Sequence, residues 1–517
     1  MLRFYQISYQ VVADDEWHAL QTALYGTYGG IVTHFGYNDY CIPLTLLYKV
    51  LAGTLGLSEL IMRIPMLACG IATLVICPLL ARDWIGRRAS ILFGWLLAIA
   101  PMPIYFSRYA RPYSITLLLA FVAIVAFFRW WHGGGRGWLA TYVGCAIIAP
   151  YVQLVVAPFV LAPMAWAGVD LCLARRPDHR ATALLRLLTV AVVVGLGLSL
   201  LLAFPLWSDW RSISDKLTGR PVTSITIVST IGLFTGTTRG WLLVICGAAV
   251  LGGIASLWRT QRRALAYVLF ASAVQVTCSI VSRPAHIEVP IVFARYNLSL
   301  LPFWLLFVAS GVIDLDRHVR RFSMARVAGA AGAVVCGLLL YFGPLREIYY
   351  RPNNWTNHAL FQYAWYYEFL RPPNIPAFYQ ELARRPRESV NIVEAPWYYE
   401  WHRNSYPYYQ RVHGQRMFVG MVDDVRPAPR AGEIPLTWRR LDFDNFVHVA
   451  DAAGLLRRSI TFVVFHRDFG REVPELHFEP IDVTRWIQHY RRAYGGPVYE
   501  DRDLVVFDVT RRTPEWP

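Results

Sequence analysis

The chain has 517 residues, of which 55% are hydrophobic and only 16% are charged, whereas about 25% of the residues in ordinary soluble domains are charged. This composition excludes an intrinsically disordered chain and argues against a wholly soluble protein. The net charge of +15 comes almost entirely from arginine. A GC-rich genome produces that bias, so the charge gives no reason to predict a nucleic-acid partner.

The first twelve residues are too short and too polar to cross a membrane. They also lack the apolar core and small-residue cleavage site of a signal peptide. We therefore expect a further helix, upstream of this start site, to carry the following acidic residues across the bilayer.

Three adjacent carboxyl groups, those of Asp14, Asp15 and Glu16, come next. They repel one another, so at least one should have a raised pKa if they are partly buried, and a raised pKa suits a general base. The alternative is a solvated acidic turn that caps the helix predicted at 19–24. His18 could join the acids as a metal ligand, but a solvated or hydrogen-bonded histidine is more common. The eight cysteines show no zinc-type spacing, so we predict no metal or other cofactor.

Ten apolar stretches approach the ~20 residues that a helix needs to cross a bilayer. They lie at 63–81, 89–106, 112–130, 138–151, 155–171, 183–206, 240–257, 264–281, 293–313 and 324–344. No stretch after residue 346 is long enough. The sequence therefore predicts an α-helical polytopic membrane domain over residues 1–345, with about ten spans, and a soluble α/β domain over 346–517.

The arginines predict the orientation, because cytoplasmic loops are enriched in basic residues. Five alternate loops carry them, at 82–88, 129–136, 175–180, 259–263 and 317–326. The opposite set faces outward, to the periplasm or lumen, and includes residues 1–60, 107–111, 151–154, 207–239, 282–292 and the C-terminal domain. We thus predict a multi-pass plasma-membrane protein whose acidic segment faces outward.

Several outward arginines are predicted at the starts of spans. Arg108 and Arg111 lie in the turn 107–113, and Arg295, Arg63 and Arg239 each precede an apolar run. A helix N-terminus beside a guanidinium group is a phosphate site. These arginines could instead reach lipid headgroups, but arginine is disfavoured on the outward side, so an anionic ligand is the better explanation. Carboxylates and phosphate-binding arginines on one face suggest glycosyl transfer from a polyprenyl-phosphate sugar.

The chain resembles the GT-C superfamily of membrane glycosyltransferases, in the branch that includes protein O-mannosyltransferases and the lipid A aminoarabinose transferase. The resemblance covers about residues 13–345. Its motifs are Asp15-Glu16, Asn38–Leu44, Glu59–Pro65, Gly86–Ala89, Ser107–Tyr113 and Arg295-Tyr296.

The resemblance implies that Asp15 is the catalytic base and that Glu16 supports it or contacts the acceptor. It also implies roles in binding the donor phosphate, or in lying beside it, for Arg108, Arg111, Arg295, Tyr113 and Tyr296. Further candidate substrate contacts on the outward side are Asp14, Asp39, Arg239, His286 and Glu288.

Two features depart from the family pattern. No span precedes the Asp-Glu loop, and the triplet Cys41-Ile42-Pro43 stands where the family has His-Pro-Pro or Lys-Pro-Pro. A lysine or histidine donor contact is therefore not carried over, and Asp39 is its candidate substitute.

The soluble domain alternates strand-like runs at 390–393, 460–465 and 504–509 with helix-like runs at 377–383 and 447–457, as in a small α/β domain. Aromatic clusters at 361–369 and 397–409 could stack on sugars, but an interfacial belt or core packing is the more common role. The Asp-x-Asp patterns at 314–316 and 442–444 are interpreted as solvated acids.

The predicted function is transfer of a sugar from a polyprenyl-phosphate donor to a hydroxyl of a cell-envelope acceptor, such as lipid A, a glycan or a glycolipid. Membrane lipids are the other predicted partners. The alternatives are a protein O-glycosyltransferase, an anion or lipid transporter, and a non-catalytic scaffold for envelope assembly. A transporter would need intramembrane charges, and the predicted spans are nearly free of them.

Overall fold

The computed structural model describes residues 1–5, 7, 16–35, 41–173, 180–322, 330–345, 374–396, 406–422, 446–467 and 481–511. These residues fall into two compact units, a helical unit within residues 1–345 and a unit with a β sheet within 374–511. The junction lies outside the described residues, so the domain boundary after residue 345 stays a prediction.

The helical unit has sixteen helices among its described residues. They are α1 (Glu16–Tyr25), α2 (Tyr28–Thr33), α3 (Ile42–Thr54), α4 (Glu59–Ile99), α5 (Pro101–Ser107), α6 (Tyr113–Trp131), α7 (Arg136–Val152), α8 (Ala157–Leu173), α9 (Arg180–Ser208), α10 (Trp210–Ser214), α11 (Ser224–Thr235), α12 (Gly240–Thr260), α13 (Arg262–Ser282), α14 (Pro290–Tyr296), α15 (Leu301–Phe322) and α16 (Ala330–Phe342). Short 3₁₀ turns lie at Leu154–Val156 and Leu298–Leu300.

The polytopic helical architecture is confirmed. Seven helices of the described chain are long and apolar enough to cross a membrane, and each of the ten predicted stretches overlaps a helix. The numbers differ because α4 contains two of the predicted stretches, whereas α7 and α16 are only 17 and 13 residues long. The count of ten spans is thus not established.

Helix α4 is two helices that fold back on one another at Gly86. The backbone of Gly86 has φ +76° and ψ 165°, a conformation that a residue with a Cβ rarely adopts. The Ser90 hydroxyl donates to the carbonyl of Pro78 at 2.5 Å, although twelve residues of straight helix would span about 18 Å. The fold-back returns the end of α4, near Leu97, to the side on which α4 begins.

The segments 1–60 and 207–239, which were predicted to face outward, contain more helices than the sequence predicted. The described parts hold helices α1–α3 and α10–α11, whereas only a helix at 19–24 was expected. Helix α11 begins in a reciprocal cap between Thr223 and Thr226, and its twelve residues are too few to span a bilayer. A criterion based on span length therefore misses such helices.

The second unit contains a six-stranded sheet in the order β3-β2-β1-β4-β6-β5. Four strands pair in parallel: β1 (Asn391–Ala395), β2 (Arg416–Met421), β3 (Phe446–His448) and β4 (Ile460–His466). The last strand, β6 (Leu504–Asp508), pairs antiparallel with both β4 and β5 (Tyr499–Glu500), so it runs opposite to the other five described strands. Four helices accompany them in the described part of this unit: α17 (Ala377–Leu382), α18 (Tyr406–His413), α19 (Ala452–Arg457) and α20 (Thr484–Tyr494). The predicted small α/β domain is confirmed.

One predicted element of this unit is wrong in its first half. The helix expected at 447–457 begins only at Ala452, and Phe446–His448 forms strand β3 instead. The backbone of β3 pairs with β2 in parallel, and the carboxylate of Asp451 then caps the helix by accepting from the amide of Gly454 at 2.8 Å. Sheet pairing with a distant strand overrides the local pattern here.

A buried polar cluster lies where β1 and β4 end. The carboxylate of Glu394 is 2.8 Å from His466 Nε2 and accepts from the hydroxyl of Tyr379 at 2.9 Å. All three residues are buried, and the rings of Tyr406 and Tyr409 pack against His466. The cluster ties α17 and α18 to the two central strands.

Candidate active site

Glu16, the first residue of α1, is the centre of the candidate site. Its side chain is fully buried, and its two oxygens accept from the guanidinium of Arg63 at 2.9 and 2.6 Å. One of them also accepts from the backbone amide of Ala110 at 2.6 Å. A single carboxylate therefore joins the start of α1 to α4 and to the turn between α5 and α6.

These contacts suit Glu16 to a supporting role better than to that of a base. Its charge is stabilised by a two-pronged guanidinium contact and by a backbone amide, and removal of a proton from a substrate would disturb both. Arg63 was expected at the start of a helix as a phosphate ligand. Arg63 is instead the fifth residue of α4, and its guanidinium binds Glu16.

The turn between α5 and α6 holds two of the predicted phosphate ligands. Arg108 directly follows the last residue of α5 and is 2% exposed, and Arg111 is half-buried two residues before α6 begins. Helix α6 starts at Tyr113, so the N-terminal end of this helix, which carries a partial positive charge, adjoins the turn. The ring of Tyr113 is buried against Phe106, with 4.4 Å between the ring centroids, which indicates a packing contribution to the turn.

Helix α3 forms another wall of this region. Glu16, Arg63 and Arg111 lie close enough to Tyr48 of α3 for their charges to act electrostatically on its hydroxyl group. That hydroxyl donates to the carbonyl of Met62 at 2.8 Å. Burial raises the pKa of the Cys41 thiol to about 12, against the opposing effects of the Leu44 amide and the positive charge of Arg111. Cys41 is therefore a neutral thiol near Arg111.

Arg295 is placed differently from the prediction. It lies in the last turn of the seven-residue helix α14 rather than at the start of a span, because a 3₁₀ turn separates α14 from α15. Arg295 is half-buried, and its guanidinium lies 5.5 Å from the centroid of the Tyr296 ring. A cation over an aromatic face at this distance is an attractive contact.

A buried polar network, which was not predicted from the sequence, anchors the 3₁₀ turn between α14 and α15. Gln275 of α13 donates to the carbonyls of Tyr296 and Val155 at 3.0 and 3.1 Å. Ser279, one turn later, donates to the side chain of Asn297 at 3.3 Å. The available signal was a pair of polar residues inside a predicted span, since such residues pair internally in membranes.

The remaining candidate contacts lie in other surroundings. Arg239 is exposed at the start of α12, and its backbone amide bonds to the hydroxyl of Thr237. His286 is exposed with φ +60°. Glu288 accepts from the backbone amide of Arg220 at 3.1 Å. The described contacts of these side chains do not link them to Glu16.

Asp14, Asp15 and Asp39 lie outside the described residues, as does the side chain of His18. Their roles stay predictions. Among the residues that the structure describes, no group of three or more His, Cys, Asp or Glu side chains is placed to hold a metal ion. That the protein needs no metal or other cofactor stays a prediction.

Neither models of protein families nor curated protein sequences match the chain. Solved structures do. ArnT from Cupriavidus metallidurans in the apo state is 15% identical with a TM-score of 0.52, and the same protein bound to undecaprenyl phosphate is 13% identical with a TM-score of 0.50. Both alignments cover 99% of this chain and 97% of the other. An oligosaccharyltransferase from Archaeoglobus fulgidus, in complex with Zn and sulfate, aligns at 10% identity with a TM-score of 0.40.

The likeness to ArnT, which has the GT-C fold, shows that this chain has that fold. The fold agrees with the resemblance inferred from the sequence motifs. At this level of identity it carries no residue roles and no substrate with it.

Proposed function

We propose that this protein is a glycosyltransferase that moves a sugar from a polyprenyl-phosphate donor to a hydroxyl of a cell-envelope acceptor, namely lipid A, a glycan or a glycolipid. The reaction takes place on the outer face of the membrane. The observation that carries the proposal is the Glu16 contact with Arg63 and Ala110, because it joins the acidic start of α1 to the arginine-bearing turn.

The donor phosphate lies against Arg108 and Arg111, with Arg295 completing the set. Guanidinium groups bind phosphate oxygens through charge-assisted, two-pronged hydrogen bonds. Burial of Arg108 and half-burial of the other two strengthen their attraction for an anion, since little water competes with it. The GT-C neighbour bound to undecaprenyl phosphate supports a lipid-linked donor.

Asp15 removes the proton from the acceptor hydroxyl, whose oxygen attacks the anomeric carbon of the sugar. The bond from that carbon to the phosphate oxygen breaks, and the phosphate leaves on its polyprenyl chain with its negative charge held by the arginines. Asp15 precedes Glu16 in the chain, so the contacts of Glu16 also restrict where the base can lie.

The direct test supplies the purified full chain in lipid vesicles with a labelled polyprenyl-phosphate sugar and an extract of envelope acceptors. We expect transfer without any nucleotide sugar. A series of donors and acceptors then identifies the sugar and separates lipid or glycan acceptors from proteins. A strict requirement for a nucleotide sugar would contradict the proposal, as would vesicles that transport the lipid without transfer.

Two variants separate the base from the phosphate ligands. Asp15→Asn should lower kcat by about 10²–10⁴, the usual contribution of a positioned base, and leave donor binding nearly intact. Arg111→Ala should weaken donor binding by roughly ten- to a hundredfold, because a charge-assisted bond contributes about 1.5–3 kcal/mol. Asp83→Asn removes an exposed carboxylate that pairs with Arg129 and is the matched control. Full turnover by Asp15→Asn would show that the base is another residue.

A further inference from the structure

Arg3 is a buried arginine that belongs to none of the sequence motifs. It is 5% exposed, and each nitrogen of its guanidinium donates within the protein. Nη2 and Nη1 lie 3.2 and 3.3 Å from the carbonyls of Leu97 and Ala98, and Nε lies 3.1 Å from the hydroxyl of Ser107. Leu97 and Ala98 belong to the last turn of α4, where carbonyls lack helical partners and carry partial negative charge.

Residues 2 and 3 reach Arg108 by two routes. Ser107, which accepts from Arg3, directly precedes Arg108 in the chain. The Nη1 atom of Arg108 also donates to the carbonyl of Leu2 at 3.4 Å. The first route fixes the backbone of the turn and the second orients the guanidinium itself.

Ser107 also has close contacts within α5 and with α4. Its hydroxyl donates to the carbonyl of Pro103 at 2.5 Å, so its donor and an acceptor site are both used. A Cβ at Gly70 of α4 would overlap the Ser107 hydroxyl and lie 2.7 Å from the Ser107 Cβ. Ser107 therefore contacts both Arg3 and the bare backbone of Gly70, which leaves it little freedom to shift.

We propose that Arg3 is a positioning residue for donor binding: it links the end of α4 to Ser107 and thereby sets the geometry of Arg108. Its guanidinium donates hydrogen bonds to carbonyl and hydroxyl oxygens of the protein, so Arg3 acts on the phosphate through Arg108. This inference rests on the proposed function, in which the turn 108–113 binds the phosphate of the donor.

The test measures binding of undecaprenyl phosphate, the probe lipid, to the purified full chain, together with KM for the donor and kcat. Arg3→Lys keeps the charge but loses the planar fork that spans three acceptors. We expect it to weaken binding about tenfold, the loss of one to two hydrogen bonds, and to raise KM with little change in kcat. Arg129→Lys is the matched control, since Arg129 also donates to an α4 carbonyl, that of Leu80, but near the Gly86 end. It should bind the lipid as the wild type does.

A double-mutant cycle distinguishes positioning from general destabilisation. If Arg3 acts through Arg108, the losses of lipid-binding free energy in Arg3→Lys and in Arg108→Lys should add up to more than the loss in the double variant. When Arg3→Lys is combined with Arg295→Lys instead, the two losses of binding free energy should be additive. Equal additivity in both pairs would overturn the proposal.

Ser107→Ala provides a second variant if Arg3→Lys fails to fold. It removes the acceptor of Arg3 Nε and should also weaken lipid binding, without a further loss when combined with Arg3→Lys. Wild-type affinity in both variants would refute the role of Arg3 and leave the proposed function standing. Failure of the wild-type protein to bind undecaprenyl phosphate would instead refute the proposed function, and this inference with it.

Discussion

At the scale of single residues, the site depends on buried charges that contact each other across long stretches of chain. Glu16 and Arg63 are 47 residues apart, and both side chains are fully buried. The motifs predicted both residues as functional, but no local pattern relates one to the other. Pairing at this separation depends on the fold, so sequence reasoning identified the participants and missed the contact.

Glu16→Ala should destabilise the helical unit. Its removal leaves the buried Arg63 without its carboxylate, and breaking such a pair costs about 3–5 kcal/mol. We expect a lower Tm in detergent and a loss of activity, whereas Asp15→Asn should lose activity at a normal Tm. Replacement of both partners, as Glu16→Gln with Arg63→Met, should recover part of the stability. A Glu16→Ala protein of normal Tm and no activity would instead indicate that Glu16 is the base.

His413 gives the sheet-containing unit a dependence on pH. Burial lowers the pKa of this imidazole from 6.5 to about 4, and its Nδ1 accepts from the backbone amide of Gln415 at 3.0 Å. The unfolded chain takes up this proton near pH 6.5 and the folded chain only near pH 4. The unfolded state thus binds more protons in this window, so stability falls as the pH drops through it.

We expect the free energy of unfolding of this unit to decrease by up to about 3 kcal/mol between pH 6.5 and 4 from this group. His413→Gln, whose amide oxygen can accept the same bond, should remove most of that decrease. Urea unfolding at several pH values measures it, with His132→Gln, an exposed histidine of the helical unit, as the control. An unchanged acid dependence in His413→Gln would contradict the assignment.

At the scale of helices and strands, the length of apolar runs predicted the long helices and the buried strands, and it did not predict the shorter elements. The long spans and the central strands β1, β4 and β6 were predicted, because buried elements are written as continuous apolar runs. The short helices α2 and α10 and the edge strands β3 and β5 were not. Strand β3 pairs with β2, and Ile31 of α2 packs against Leu202 of α9, so the partners of these two elements lie outside any local window. Helix α10 has only five residues and β5 only two, too few to show a periodic pattern.

Helix packing at this scale depends on glycine where α12 meets α15. A Cβ at Gly311 of α15 would overlap the carbonyl of Ala249, and one at Gly253 of α12 would overlap that of Phe307. Small residues allow helices in membranes to approach this closely. The sequence places these glycines in two spans but does not show that they face each other.

Gly311→Leu should therefore separate α12 from α15 and lower the stability of the helical unit, with a cost of about 1–3 kcal/mol or more for overpacking. The measurement is Tm and monodispersity in detergent. Gly247→Leu, in α12, is the matched control, because a Cβ there meets no atom within 4 Å. Equal losses in the two variants would show that helix propensity or lipid contact, not the α12–α15 contact, is responsible.

At the scale of the whole molecule, the proposed reaction requires that the acidic start of α1 and the sheet-containing unit lie outside the cytoplasm. The alternation of arginine-rich loops predicts this orientation, since basic residues remain preferentially on the cytoplasmic side. The orientation also determines the class of donor, because nucleotide sugars are cytoplasmic and a lipid-linked sugar can be presented outside. Orientation and donor class therefore stand or fall together.

Cysteine labelling measures this orientation. Gly496 is exposed in the sheet-containing unit and Gly135 is exposed just before α7, and a Cβ at either meets no atom within 4 Å. Cysteine at each position should therefore be tolerated, in a chain whose exposed Cys172 and Cys278 are replaced by serine. A membrane-impermeant maleimide added to intact spheroplasts should label Gly496→Cys and spare Gly135→Cys, and inverted vesicles should give the reverse. Protection of Gly496→Cys in spheroplasts, with labelling of Gly135→Cys, would place the arginine-bearing turn in the cytoplasm, where a polyprenyl-linked donor has no advantage over a nucleotide sugar.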